Sequence, residues 1–322
     1  MNLFLFSFFL LYSLLNLYVF LKLKHAYPIG KVTIVCAGLF MLAMVFAPVV
    51  VRLMEKAGHD DFARFASYIG YTWMVLLFLF FSVSICMDAI RLCIYLFGLI
   101  IRTDVSGFTN RKKCFFIVPS LCALLVTPYG FYEATRIDVK RLTIETPKIK
   151  KETGLIRIVQ ISDVHIGLII DKKRMEKIAD KIREIKPDII VSTGDLIDSR
   201  FGKLETSIEP LRQINAPYGK FAVTGNHEYY AGIDTSLELT KQAGFDVLRG
   251  RVVDVGGIID IAGVDDAASM GFKNIFVYEG TLLKGLPQDK FKILLKHRPV
   301  IDWDAVDFFD LQLSGHTHGG QI

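Results

Sequence analysis

Hydrophobic positions divide the 322-residue chain into two regimes. Up to about residue 134 they come in long unbroken runs, and beyond it they recur in the short periods of strands and amphipathic helices. Leu3–Leu21 and Val32–Val51 carry no charge, the third run reaches from Ile69 to Ile101, and Cys114–Tyr132 contains Pro119 and Pro128. Each is long enough to cross a bilayer as a helix, and prolines are tolerated inside such helices. The pattern predicts a four-helix transmembrane region over 1–134. The first run lacks the basic start and the small-residue cleavage pattern of a signal peptide, so it counts as a span. Asp88 and Arg91 interrupt the third run three residues apart, so they either pair on one helical face or mark the headgroup boundary.

The second regime begins with a basic, polar linker over 135–153. Leu155–Ile161 then reads as a strand and Asp171–Lys186 as an amphipathic helix, with Met175, Ile178, Ala179, Ile182 and Ile185 on its apolar face. Further strands are expected at Asp188–Val191, Lys220–Val223, Asp246–Leu248, Val252–Val255, Ile258–Ala262, Phe291–Leu295 and Asp310–Leu313. Helices are expected over 203–215 and Thr235–Ala243. This alternation predicts an α/β domain over 154–322 with mainly parallel or mixed sheets.

Charge splits at the same boundary. The second region holds 27 Lys+Arg and 27 Asp+Glu, whereas the first holds 11 against 6 and so accounts for the formal net charge of +5. The basic excess therefore lies between apolar segments, where anionic headgroups attract it, making membrane lipids an expected partner. The neutral second region carries no basic patch, which argues against a nucleic-acid partner. Eight basic residues flank one side of the spans and seven the other, so charge leaves the orientation open. All five cysteines lie in the first region, at spacings that fit neither a zinc knuckle nor a disulfide framework.

Chemistry concentrates where the predicted strands of the second region end, which is where α/β sheets place their sites. Those loops offer Asp163 and His165, Asp195, Asn226 and His227, His297, and finally His316 and His318. Five of the seven histidines belong to this set. In extended chain, His316 and His318 point to one side. Carboxylate, imidazole and amide oxygen together suit Mn, Fe or Zn. The set exceeds the three protein ligands of a single catalytic zinc. Two ions bridged by one carboxylate would use it, and phosphorus esters are their natural substrates.

The ordered blocks Asp163-x-His165, Gly194-Asp195, Gly225-Asn226-His227-Glu228, His297 and Gly315-His316-x-His318 resemble the calcineurin-like metallophosphoesterase superfamily across residues 155–322. The helical region is similar to that of a membrane-bound branch related to YkuE-like phosphoesterases and transmembrane metallophosphoesterases. The resemblance implies a β-sandwich flanked by helices. It also implies that Asp163, His165 and His318 bind one divalent metal, that Asn226, His297 and His316 bind a second, and that Asp195 bridges them. His227 would be a catalytic group outside the ligand set, oriented by Asp198, and Glu228 would complete the motif structurally. Asp265 and Asp266 match a Gly-Val-Asp-Asp of the same branch and are expected to anchor a loop. Family members continue with β structure beyond the last motif, so a domain ending at residue 322 is expected either to be truncated there or to lack an outer strand of its second sheet.

Two functions fit. One is a multi-pass membrane hydrolase, expected in a bacterial inner membrane, acting on a phosphate ester or pyrophosphate of an amphiphilic or lipid-linked substrate. Hydrolysis of the UDP-2,3-diacylglucosamine pyrophosphate in lipid A synthesis is one activity the branch implies. The other is a catalytically idle membrane sensor or scaffold that retains the domain, a reading that the intact ligand set argues against. A nuclease fits the metals but neither the neutral domain nor the spans.

Overall fold

The computed structural model describes residues 3–199, 204–271 and 277–318. It separates into two compact units, Met1–Arg136 and Ile137–Ile322.

The first unit is all helical: α1 (Leu3–Ala26), α2 (Lys31–Lys56), α3 (Asp60–Ile101), the short α4 (Ser106–Thr109) and α5 (Cys114–Thr135). α1, α2, α3 and α5 are long and apolar enough to cross a membrane. They pack through Tyr12, Val19, Met41, Val45, Leu77, Phe80 and Ala123, while large apolar side chains such as Leu39 and Leu125 face outward. Outward apolar surface is unfavourable in water and favourable in lipid. α3 begins at Asp60, nine residues before the expected start, because Asp60 and Asp61 in its first turn suit the positive end of the helix dipole. The hydrophobic run marks the apolar stretch of that helix and not its beginning. Asp88 and Arg91 do not pair. Asp88 accepts hydrogen bonds from Tyr18 Oη (2.7 Å) and Lys22 Nζ (2.5 Å) of α1, and Arg91 lies over the Phe115 ring.

The second unit holds two four-stranded sheets. The first contains β1 (Ile158–Ile161), β2 (Ile189–Ser192), β3 (Lys220–Ala222) and β4 (Asp246–Val247), all parallel, in that order. The second contains β5 (Arg251–Val255), β6 (Ile259–Gly263), β7 (Phe291–Leu295) and β8 (Leu311–Leu313). Only the β5–β6 pair is antiparallel. β1 starts three residues later than the apolar pattern suggests, because Leu155 is solvent-exposed.

Side-chain alternation builds the layers. Ile189 and Val191 of β2 join Ile259, Ile261, Ile293 and Leu295 of the other sheet in one core. Ile190, on the opposite face of β2, packs with Met175, Ala179 and Ile182 of α6 (Lys172–Ile185). The same core takes Ile208 and Leu211 of α7 (Leu204–Arg212) and Leu239 of α9 (Ile233–Gln242). On the outer side of the second sheet, Ala262 and Leu294 meet Leu283 of α11 (Glu279–Leu283). The result is a sandwich with helices on both outer faces. α6 shows how the sequence sets an element: Asp171 caps its start by accepting from the Arg174 N–H, and Lys186, left-handed ahead of Pro187, ends it. The short α8 (Asn226–Ala231) follows β3, and α10 (Ala268–Gly271) follows β6.

Candidate metal centre

Five loops at the carboxyl ends of β1, β2, β3, β7 and β8 converge. Backbone bonds lace them together: Asp163 N–H donates to Gly194 O (3.1 Å), His165 N–H to Asp195 O (2.9 Å) and Gly315 N–H to His297 O (2.8 Å). Among the described residues seven non-glycines have positive φ, and five of them are Asp163, His165, Asp195, His316 and His318. Side chains adopt that conformation at a cost of about 1–3 kcal/mol each, so backbone strain is gathered at the candidate ligands. His316 and His318 therefore do not sit in extended chain aimed at one point. The left-handed turn sends them to different partners.

His318 Nε2 lies 3.2 Å from His165 Nε2, and its ring stacks on that of His165. His318 Nε2 is also 3.6 Å from Asp163 Oδ1. His316 Nδ1 lies 3.1 Å from His297 Nε2, which is 3.2 Å from Asp195 Oδ2. Asp163, His165 and His318 form one group whose potential ligand atoms all lie within 4.8 Å of one another. Asp195, His297 and His316 form a second, and His165, Asp195 and His227 a third that links them. Asp195, almost wholly buried, stands at the junction.

The surroundings hold these groups in place. Asp163 accepts from Ser162 Oγ (2.5 Å) and from the His316 N–H (2.9 and 3.0 Å). His297 Nδ1 lies 2.9 Å from the Thr193 carbonyl, an acceptor that fixes the ring with Nε2 facing the site. The Asp195 carboxylate also accepts from the His227 N–H (2.9 Å). Glu228 is buried and accepts from four backbone N–H groups: Asp195 (3.0 Å), Leu196 (2.7 Å), Ile197 (3.0 Å) and Gly225 (2.7 Å). Gly225 has no room for a side chain, since a Cβ there would strike the Asp195 carboxylate.

Electrostatics follow from this packing. Burial raises the pKa of Asp195, but hydrogen bonds from His297 and the His227 backbone outweigh it, and the carboxyl falls below its ordinary value. Desolvation raises Asp198 as well, but the His165 and His227 contacts outweigh it and bring the carboxyl down to about 2. His227 is raised, chiefly by Asp198, whose Oδ1 is 2.5 Å from its Nδ1. Burial works against His297, yet its contact with Asp195 raises it, whereas burial and the charge of His297 lower His316.

The residues fit divalent metals on two observations. Asn226 Oδ1 is buried with no hydrogen-bond partner, a costly state for an amide oxygen that coordination relieves. Two pairs of imidazole nitrogens also approach to 3.2 and 3.1 Å, a spacing that a shared proton satisfies in one tautomer and at which both rings can turn a lone pair to a common ion. Asp163, His165, Asp195, His227, His297, His316 and His318 meet in this cluster, Asp198 touches it through His227 and His165, and Asn226 directly precedes His227 in the chain. Residues 319–322, which follow the last motif, lie outside the described residues.

Sequence reading missed Arg298. Its guanidinium is held by Asp266 (Nε–Oδ2 2.8 Å) and lines a cavity of about 930 Å³ beside His297. Lys284, Lys296, Tyr278, Val300 and Ile301 line the same space. Its signal was its place directly after His297. Asp265 takes Arg249 bidentately (2.9 Å to each oxygen) and accepts from Thr224, so both carboxylates of that loop anchor it, as expected.

Residues 156–320 match the calcineurin-like phosphoesterase family model. An uncharacterized metallophosphoesterase of Campylobacter jejuni is 31% identical over 97% of this chain and 82% of its own. The uncharacterized metallophosphoesterase YkuE of Bacillus subtilis is 36% identical over 60% of this chain and 70% of its own. A transmembrane protein with metallophosphoesterase domain from Danio rerio is 29% identical over 63% of this chain and 50% of its own.

Proposed function

Because the chain belongs to the calcineurin-like phosphoesterase family, a family of metal-dependent hydrolases, we propose that it cleaves a phosphate ester or pyrophosphate bond of an amphiphilic substrate with two divalent ions. The observation that carries this reading is the pair of candidate ligand groups linked through Asp195, together with the buried, unpartnered oxygen of Asn226. Asp163, His165 and His318 would hold one ion, Asn226, His297 and His316 the other, and Asp195 both. When bound, Mn, Fe or Zn ions supply Lewis-acid chemistry that polarises a phosphoryl group and makes water a better nucleophile.

The chain's own residues do the rest. Asp198 engages His227 Nδ1 and so leaves Nε2 as the nitrogen that can give a proton to the leaving oxygen. Arg298, locked by Asp266, offers its remaining N–H groups to a phosphoryl oxygen. The apolar wall formed by Val300, Ile301 and Met270, all well exposed, suits an acyl or prenyl portion of the substrate. The membrane-spanning helices favour such a substrate as well, and the UDP-2,3-diacylglucosamine pyrophosphate is one member of that class.

The test is Asp195→Asn in the full chain. Wild type should hold two equivalents of metal and hydrolyse an aryl phosphate with added manganese, and the variant should lose at least one equivalent and nearly all turnover. Unchanged activity would sink the bridging role. Metal-loaded wild type without turnover on aryl phosphates, phospholipids or nucleotide-linked lipids would replace the enzyme with the idle scaffold.

A further inference from the structure

A second polar cavity, of about 850 Å³, lies within the helical unit. It opens where the end of α1, the segment of α3 around Asp88 and the α4–α5 connection meet. Its volume falls in the range of roughly 300–1,000 Å³ that holds a small ligand or headgroup.

Four cations, Lys22, Lys24, Arg91 and Lys112, line it against a single carboxylate, Asp88. That carboxylate is already engaged: Lys22 Nζ is 2.5 Å from Oδ1, and Tyr18 Oη donates to Oδ2 at 2.7 Å. Lys24, Arg91 and Lys112 make no ion pair among the described residues. Arg91 rests its guanidinium on the Phe115 ring, 5.3 Å from the centroid, which fixes its plane and leaves its N–H edge to bond elsewhere. Such a fork, together with flexible ammonium groups, matches the oxygens of a phosphate.

The depth of the cavity selects the source of that phosphate. Between Arg64 and Asp88, α3 has 23 uncharged residues, a rise of about 35 Å at 1.5 Å per residue. That spans a hydrocarbon core of about 30 Å, so Asp88 and Arg91 fall at its edge. The other helices agree. α1 is uncharged up to Lys22, α2 from Val32 to Val51, and α5 from Cys114 to Tyr132. The cations of the cavity thus stand where lipid phosphates stand.

We propose that this cavity is a binding site for the phosphate-bearing headgroup of an anionic lipid, held by Arg91, Lys112 and Lys24, with Asp88 and Lys22 as its wall. It does not depend on the reaction assigned to the other unit.

The test uses the full chain in a neutral detergent. Calorimetric titration with short-chain phosphatidylglycerol should show one site at least tenfold tighter than for phosphatidylcholine. Near a membrane each cation contributes about fivefold in affinity, so Arg91→Gln with Lys112→Gln should weaken binding roughly 25-fold. Lys56→Gln with Arg64→Gln removes the same charge from the opposite end of the bundle and should change it less than twofold. Equal loss in that control would reduce the effect to bulk charge and overturn the site, as would equal affinity for the two lipids or an unaffected Arg91/Lys112 variant. Glycerol phosphate or an acidic peptide binding as tightly as the lipid would overturn the assignment to a lipid. Monodispersity and a helical circular-dichroism spectrum and melting temperature equal to wild type show that each variant is folded.

Discussion

Glu228→Gln tests whether the site rests on one buried carboxylate. Oε1 accepts from Leu196 and Ile197, and Oε2 from Asp195 and Gly225, so a single side chain ties the β2 loop to the β3 loop. Glutamine keeps the shape, but its NH₂ group must face two of the four donors. Each buried N–H left without an acceptor costs about 1–3 kcal/mol, so the loss is on the order of 2–6 kcal/mol. For a domain of this size each kcal/mol lowers Tm by about 2–4 °C, which gives a fall on the order of 10 °C. Hydrogen–deuterium exchange of the full chain reads the cause directly. Amides of residues 195–197 and 225 should lose protection in the variant, while those of β6 and β7, in the sheet that makes no bond to Glu228, should keep theirs. Wild-type protection at 195–197 together with an unchanged Tm would refute the reasoning, because four satisfied donors cannot be half removed without effect.

Three further outcomes follow from the same geometry. Chelation of the purified chain should lower the melting temperature of the phosphoesterase unit by about 5–10 °C, reversed by manganese, since a ligand at a hundred times its Kd stabilises by about 2.7 kcal/mol; no shift in differential scanning fluorimetry would count against a metal centre built on the buried Asn226 oxygen. Arg298→Ala should raise KM for a phospho-substrate roughly tenfold while leaving the metal content intact, and loss of metal instead would make Arg298 a support of His297. Ile261→Ala, at a fully buried position between the sheets, should cost about 2–5 kcal/mol in denaturant unfolding yet leave KM unchanged; a cost under 1 kcal/mol would mean the inter-sheet core is loosely packed.

Some of this protein is written in local pattern. Runs of 19 or more apolar residues have one low-energy arrangement in lipid, so the spans were legible from hydrophobicity alone. Short apolar strands running into Asp, His and Asn placed the site at the carboxyl ends of the strands, because strand direction and loop position are local properties. The candidate ligands needed no structure to be named, since their chemistry is carried by residue type and order. Where the elements begin was less legible. Asp60 starts α3 for reasons of helix dipole, which a hydrophobicity reading does not weigh.

Tertiary structure decided the pairings. Asp88 sits three residues from Arg91, a spacing that suggests a pair, yet it bonds Tyr18 and Lys22 because a neighbouring helix brings shorter, better-aligned donors. His316 and His318 divide between His297 and His165 because positive φ angles turn the loop, and nothing in the order Gly-His-Thr-His specifies that turn. Glu228 read as a structural part of its motif, and Arg298 drew no reading at all. Only the approach of β2 to β3, and of the β7 loop to Asp266, gives the first four donors to hold and the second a fixed place beside the cluster. Sequence fixes what each residue can bond, and the fold, by bringing distant strands within hydrogen-bond reach, fixes which bond it makes.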